Sequence, residues 1–375
     1  SGCSYAIYTD ISKAFDVVNH ELLFLKLKLF GFPKPLLKWI LSYLSNRTQR
    51  VVFNNTTSNY IFVTSGVPQG SHLGPLLFLV FINDLTLAIR NGNVLRFADD
   101  VKLFLSYKDE IGASLLQSDL DSLTAWCNIN CMDLNLTKCK QITFSRCHSP
   151  FFCNYTICGR NLERVEIVDD LGVVLDRKLR FNTHINRISS RANSTLGFIK
   201  RWAKEFNDPY ITKLLYTSLV RPMLEYASPL WSPNYNCYIA EIESVQKQFL
   251  LFCLRNLHWD ESVNLPPYES RLMLINLPSL ANRRRMLNAI FILNILYGVT
   301  NSAYLLSNIH LNVPCRTLRR YKPLYLSFSR STHQQHEPLR NACADFNILY
   351  PVINFSAYYS SYLTKQKILQ FLSLF

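Results

Sequence analysis

An α+β fold is predicted, in which an antiparallel sheet flanked by helices gives way to a mainly helical remainder. Short β-branched and aromatic runs alternate with leucine-rich helical periods through residue 182, with Gly, Pro and Asn clusters between them. Past about Thr183 glycine becomes rare and long helical periods take over. The expected division of the chain is 1–182, 183–263 and 264–375.

Residues 5–10, YAIYTD, are β-branched and aromatic and end in a carboxylate, as a buried strand would. HELLFLKLKLFG repeats leucine at helical spacing and stops at Gly31, with Pro33 and Pro35 beyond it. A second helix runs from about Pro35 to Leu44 and leads into TQRVVFNNTTSNYIFVT, a hairpin whose centre is rich in turn formers. SGVPQGSHLGPLLFLVFINDL is a loop punctuated by Gly66, Pro68, Gly70 and Gly74. Pro75 fits the first helical position, and an apolar helix is expected to about Leu85.

VLRFADDVKLFLS predicts two short strands joined by a tight turn at ADD. A helix is expected from Glu110 to about Asn130, extended chain in LNLTKCKQITFS, and a strand pair in IVDDLGVVLDRKLRF. Helices then run through about Arg255. Beyond Leu265, Pro-bounded helices mix with a basic stretch around Cys315 to Arg340.

The chain has 375 residues, 49% of them hydrophobic, which is ample for two or three buried cores. Lysine and arginine outnumber acids 40 to 26 for a net charge of +14, and 13% of residues are aromatic, a combination compatible with a nucleic-acid partner. The longest apolar runs, such as LLFLVFI and AIFILNILY, are well short of the roughly 20 residues that cross a bilayer, so no membrane partner is expected. Eleven cysteines, an odd number with no CxxC pair, point to a reducing intracellular compartment. Cys127, Cys131, Cys139 and Cys147, near His148, read as structural thiols in preference to a zinc site.

Asp10 closes one expected strand, while Asp99 and Asp100 sit 89 residues further on in a strand-turn-strand. If the two strands are neighbours, three carboxylates converge at one sheet edge, where like charges raise one another's pKa. Divalent cations relieve that cost. Hard oxygen ligands suit Mg²⁺, and two such ions clamp the attacking and leaving oxygens of a phosphoryl transfer. The same acids are also ordinary turn formers, because Asp caps backbone groups.

YTDISKAFDVVNHELL, SGVPQGSHLGPLLFLVFINDL, FADD, LNLTKCK and DDLGVVLD follow one another in this order between residues 5 and 182. Together they resemble the palm of reverse transcriptases, and the wording of the first two blocks is most similar to non-LTR (LINE-like) retrotransposons of the jockey type. The resemblance implies a polymerase palm followed by a helical thumb and a helical, basic C-terminal region. It implies RNA-directed DNA synthesis, in which deoxynucleotides are added to a primer 3′-hydroxyl with two Mg²⁺ ions, Mn²⁺ being a substitute. The implied partners are an RNA template, a DNA primer or target DNA, and deoxynucleotides, in a nuclear setting with a cytoplasmic ribonucleoprotein stage.

By the same resemblance, Asp10, Asp99 and Asp100 are the metal ligands and Phe15 is the steric gate against a ribose 2′-hydroxyl. Gln69 contacts the nascent base pair, Lys138 is a proton donor to pyrophosphate, and Leu171 and Gly172 form the primer-grip turn. His184, Arg187 and Arg191, at spacings of three and four, would share one helical face. With Lys200, Arg201 and Lys204 they would track duplex phosphates or lie solvated on the surface. The clusters Arg283 to Arg285 and Arg316 to Lys322 carry the same two readings. The sequence begins nine residues before Asp10, so the basic fingers blocks and the endonuclease of such elements are not in it. The alternative expectation is a truncated, inactive remnant that at most binds nucleic acid.

Overall fold

Strand β1 (Cys3–Thr9) is buried on both faces, and this makes it the centre of the first sheet. Tyr5 and Ile7 point to one face, at 2% and 0% exposure, while Ala6 and Tyr8 point to the other. β1 pairs antiparallel with β7 (Asp100–Tyr107) and with β8 (Lys140–Phe144). β6 (Asn93–Phe97) pairs with the outer edge of β7, and β11 (Glu163–Arg164) pairs in parallel with β8, so the sheet order is β11-β8-β1-β7-β6. The structure, a computed structural model, describes residues 3–147, 149–203, 208–256, 265–313, 321–328, 335–352 and 361–372. It divides into two units, Ser1–Arg180 and Phe181–Phe375.

In the first unit, helices α1 (His20–Leu29), α2 (Lys34–Leu44), α3 (Leu73–Ile82) and α5 (Glu110–Ile129) build the core on the Tyr5/Ile7 face. Asn19 caps α1 by accepting from the Leu22 N–H at 3.0 Å. Asp109 caps α5 in the same way, accepting from Gly112 at 2.9 Å. Along α5, Leu116, Leu120, Leu123 and Cys127 recur at helical spacing and are almost fully buried. Each such leucine contributes roughly 1.5–3 kcal/mol when removed from water.

One local expectation is corrected and another is narrowed. Helix α3 starts at Leu73, ahead of Pro75, and ends at Ile82; a separate short α4 (Leu85–Ala88) follows. Proline is tolerated within the first turn because those N–H groups have no intrahelical partner. In the NNTTSN hairpin the turn is Asn54–Asn55, both at positive φ (44° and 61°), while Thr56 and Thr57 belong to a strand. β2 (Thr48–Gln49) pairs with β5 (Ile61–Phe62), and β3 (Val52–Phe53) with β4 (Thr56–Thr57). β9 (Thr156–Ile157) and β10 (Arg160–Asn161) form a further short ribbon.

The opposite face of the sheet is covered by the hairpin of β12 (Ile167–Asp170) and β13 (Val173–Asp176). Val168 and Leu175 of this hairpin pack on Ala6, Ile142, Phe104 and Phe144.

The second unit is helical, with α6 (Asn182–Trp202), α9 (Asn236–Asn256) and α11 (Leu280–Leu296) as its long elements. The shorter α7 (Pro209–Leu215), α8 (Ser228–Trp231) and α10 (Tyr268–Ile275), and the helices Pro338–Leu349 and Ser361–Leu372, pack with them. Tyr216 stacks on Phe249 at 4.0 Å and donates to Gln246 at 2.8 Å. Among the described residues no helix is long and apolar enough to cross a membrane.

Asp119 of α5 fixes the approach to β6. It is 1% exposed and accepts from the backbone N–H groups of Arg90, Asn91 and Gly92 at 3.1, 3.2 and 2.6 Å. Asp119→Ala leaves these donors without their acceptor and is expected to cost on the order of 3 kcal/mol, read as a lower denaturant midpoint.

Candidate functional site

Register decides which acids meet. Thr9 lies opposite Val101, so one further step along the antiparallel pair sets Asp10 against Asp100. Asp100 is the first residue of β7, and Phe97 pairs with it across the two-residue turn Ala98–Asp99. Ala98 adopts φ 53°, the positive value that a tight hairpin turn demands.

Asp10 and Asp100 line one cleft of about 320 Å³, with Tyr8, Lys102, Lys138 and Lys140 among its other walls. Asp99 is half-buried in the turn and is not part of that wall. Asp100 counts as exposed by area, yet its carboxyl is held above the usual carboxylate range. Partial burial of the carboxyl group is the main cause, followed by the charge of Asp99; Lys102 opposes the shift, and Asp10 and Asp170 add to it.

Lys138 reaches the cleft on the turn that joins α5 to β8. The Asn135 N–H donates to the Asp10 carbonyl at 2.8 Å, and Ser12 donates to Asp133 O at 2.8 Å, which docks this turn on the end of β1. Lys138 Nζ then lies 3.2 Å from Asp10 Oδ2. The lysine side chain is 65% exposed, so it is free to turn toward a ligand.

Phe15 and Gln69 meet through a second docking. Phe15 sits in the turn after β1, half-buried, with its ring 4.5 Å from that of Phe78. Its carbonyl accepts from Val67 at 2.8 Å, and Gly66 donates to Val18 O at 2.8 Å. Gly66 has φ 84°, and a Cβ there would come within 2.7 Å of Asp16 O, so only glycine fits the approach. Gln69, exposed, donates to Asp16 Oδ1 at 2.8 Å. Neither Phe15 nor Gln69 lines the 320 Å³ cleft. Asp16 was not singled out by sequence; its presence inside the KAFD block was the available signal.

Leu171 and Gly172 form the two-residue turn between β12 and β13, at φ 48° and 83°. Leu171 lines the cleft with Ile167, Asp169 and Asp170. Sequence reasoning also missed Tyr8, Lys102 and Asp170. Tyr8 and Lys102 stand two residues from Asp10 and Asp100 along β1 and β7, so strand alternation could have placed them on the same face.

In the second unit, Arg187, Arg191 and Arg201 are exposed on α6, and Lys200 is half-buried, its ammonium pKa lowered by burial and then by Arg255. His184 is a correction: it is 1% exposed and packs edge-on against Trp231 at 5.2 Å, on the inward stripe with Ile188 and Ala192. In the Arg283 to Arg285 cluster, Arg283 and Arg284 turn inward in the same way, while Arg285 stays exposed as the surface reading expects. Arg283 pairs with Glu225 at 2.7 Å, Arg284 is 2% exposed, and Arg285 lies 4.0 Å from Asp345. Lys204, His148 and Arg316 to Arg320 lie outside the described residues.

Among the described residues no group of three or more His, Cys, Asp or Glu side chains converges in the manner of a preformed metal cage. Cys127 and Cys139 are buried, and burial pushes the Cys127 thiol up to about 12.

The raised pKa of Asp100 has a direct consequence for stability. A carboxyl whose folded pKa exceeds its unfolded one opposes folding once the pH is above the ordinary carboxylate range. In chelator, Asp100→Asn is therefore expected to raise the thermal midpoint at pH 7. The gain should shrink as the pH falls through 4, measured by thermal unfolding at both values.

Residues 1–199 match the family model described as reverse transcriptase (RNA-dependent DNA polymerase). The chain is 31% identical over 251 residues to a probable RNA-directed DNA polymerase from transposon BS of Drosophila melanogaster, covering 62% of this chain and 27% of that protein. It is 29% identical over 258 residues to the RNA-directed DNA polymerase from mobile element jockey of Drosophila melanogaster, covering 66% of this chain and 28% of that protein. The chain thus spans about a quarter of the length of these relatives. A solved structure of telomerase from Candida albicans, in complex with a fragment of telomeric RNA, overlaps 73% of this chain and 49% of its own at 11% identity and a TM-score of 0.36. With Asp10 and Asp100 set side by side on an antiparallel sheet and the family model covering more than half of the sequence, the chain belongs to the reverse transcriptase family.

Proposed function

We propose that the chain is the catalytic part of an RNA-directed DNA polymerase of a jockey-type retrotransposon, adding deoxynucleotides to a primer 3′-hydroxyl. The single observation that carries this reading is the β1·β7 register, which sets Asp10 beside Asp100 at the mouth of a cleft with Lys138 against Asp10. The partners are an RNA template, a DNA primer and deoxynucleotides.

The donor set fits Mg²⁺. The acids are hard oxygen ligands on an open edge, and Mg²⁺ needs only one or two carboxylates, completing its shell with water and substrate phosphates. Asp100 is held above the usual carboxylate range first by burial of its carboxyl and then by the neighbouring Asp99, with Lys102 opposing, and a bound cation would relieve that cost. Asp10 and Asp100, with Asp99 beside them, would hold the ions. Two bound ions would lower the pKa of the primer hydroxyl and neutralise charge on the triphosphate and leaving pyrophosphate.

The chain's own residues act by placement. Lys138, largely exposed, is the proton source for the pyrophosphate once it releases Asp10. Phe15, backed by Phe78, is the rigid surface that rejects a 2′-hydroxyl. Gln69, held by Asp16, meets the nascent base pair, and the Leu171–Gly172 turn supports the primer end. The exposed arginines Arg187, Arg191 and Arg201, with half-buried Lys200, supply phosphate contacts on α6, beside the exposed rings of Phe198 and Trp202.

The test is extension of an oligo(dT) primer on poly(rA) with Mg²⁺ or Mn²⁺. Asp10→Asn and Asp100→Asn are each expected to lower extension on the order of 10³-fold. Binding of the primed template without any extension would make the chain a nucleic-acid binder alone. Phe15→Val is expected to leave deoxynucleotide extension measurable while weakening discrimination against ribonucleotides roughly tenfold or more, read as the ratio of kcat/KM values.

A further inference from the structure

Tyr8 and Lys102 face each other directly across the β1·β7 pair, two residues in from Asp10 and Asp100 and on the same face of the sheet. Both hold the same partner. The Tyr8 hydroxyl donates to Asp170 Oδ2 at 3.1 Å, Lys102 Nζ pairs with Asp170 Oδ1, and that ammonium lies 5.6 Å from the Tyr8 ring centre. The side chains of Lys102 and Asp170 are 13% and 18% exposed, so the pair works in a partly desolvated setting where charge-assisted bonds are strong. Burial, and then Asp170, push the Tyr8 hydroxyl pKa well up, which keeps it a donor.

Asp170 is the last residue of β12, immediately before the Leu171–Gly172 turn. At its other end the hairpin is fixed to the continuation of β8: Ser145 donates to Arg177 O at 3.1 Å and Arg146 Nε donates to Lys178 O at 2.8 Å. The hairpin is therefore pinned at its base by these two bonds, along its length by Val168 and Leu175 packed on the sheet, and near its tip by one carboxylate. Strand β12 and Leu171 of the tip line the cleft that Asp10 and Asp100 also line.

We propose that Asp170 is a positioning residue: held by Tyr8 and Lys102, it straps the β12–β13 hairpin to the sheet and fixes the gap between the Leu171–Gly172 turn and the Asp10/Asp100 edge. In the polymerase reading, on which this inference rests, that gap sets where the primer 3′-hydroxyl sits. Reaction rates fall steeply when a reacting group is displaced by an ångström or so. Removing the carboxylate also leaves the Lys102 charge in its partly buried site without its partner, which drives the tip away from the sheet.

The experiment compares wild type, Asp170→Asn, Asp170→Glu and Tyr8→Phe by single-nucleotide primer extension with active-site titration, and by amide hydrogen exchange. Asp170→Asn is expected to lower kcat per active site roughly tenfold or more, with the nucleotide KM within about twofold of wild type. Tyr8→Phe should fall between them, and Asp170→Glu should recover part of the loss. Exchange at residues 171–176 should speed up in Asp170→Asn, while α5 keeps its protection. A merely structural role would lower the active fraction and leave kcat per site unchanged; that result, or unaltered exchange at the tip, overturns the strap. A wild-type chain that never extends the primer overturns the polymerase reading instead, and exchange at the tip then decides the strap by itself.

Discussion

The antiparallel pairing of β1 with β7 is the constraint on which the rest of the first unit depends. β1 is buried on both faces, so a slip of one residue would turn Tyr5 and Ile7 out of the helical core and put Ala6 and Tyr8 into it. That penalty locks the register, and the locked register is what sets Asp10 against Asp100. Three separate segments then dock on the end of the pair. The Asn135–Lys138 turn is held through the Asp10 carbonyl, the Gly66–Gln69 loop through Phe15, Asp16 and Val18, and the β12–β13 hairpin through Asp170.

The cleft that results is built from opposed charges. Lys102, Lys138 and Lys140 line it together with Asp10, Asp100, Asp169 and Asp170. Two of the cations are engaged, Lys102 by Asp170 and Lys138 by Asp10, and the engagements differ in kind. The Lys102 pair is enclosed and suited to holding structure, while the Lys138 pair is largely open to solvent, worth little in stability and easily exchanged for another anion. Burial thus separates a structural ion pair from a labile one within a single site.

Motif blocks were legible because each carries its own local physics. The Gly31 stop, the tight turn at Ala98–Asp99 and the turn at Leu171–Gly172 all follow from short-range geometry. What was misread depends on which way a helix faces. His184 and Arg284 look like members of basic stripes in the sequence, yet both lie on inward faces, where His184 meets Trp231 and Arg284 sits near Glu243 and Glu225. Tyr8, Lys102 and Asp170 escaped notice for another reason: they are far apart in the chain, strand pairing sets Tyr8 beside Lys102, and packing of the β12–β13 hairpin on the sheet brings Asp170 to both.

The sequence by itself determined the α+β class, the order of the elements and the family, since patterning, capping and turn chemistry act over a few residues and the motif blocks are read in order. Tertiary structure alone decided that Asp10 and Asp100 share a cleft while Asp99 stands off its wall, that Gln69 is held by Asp16, and that one carboxylate from β12 fastens a hairpin to the sheet. These are contacts between residues tens to more than a hundred positions apart. Sheet register fixes the first, and the docking of a loop and of a hairpin fixes the others; no local pattern encodes either.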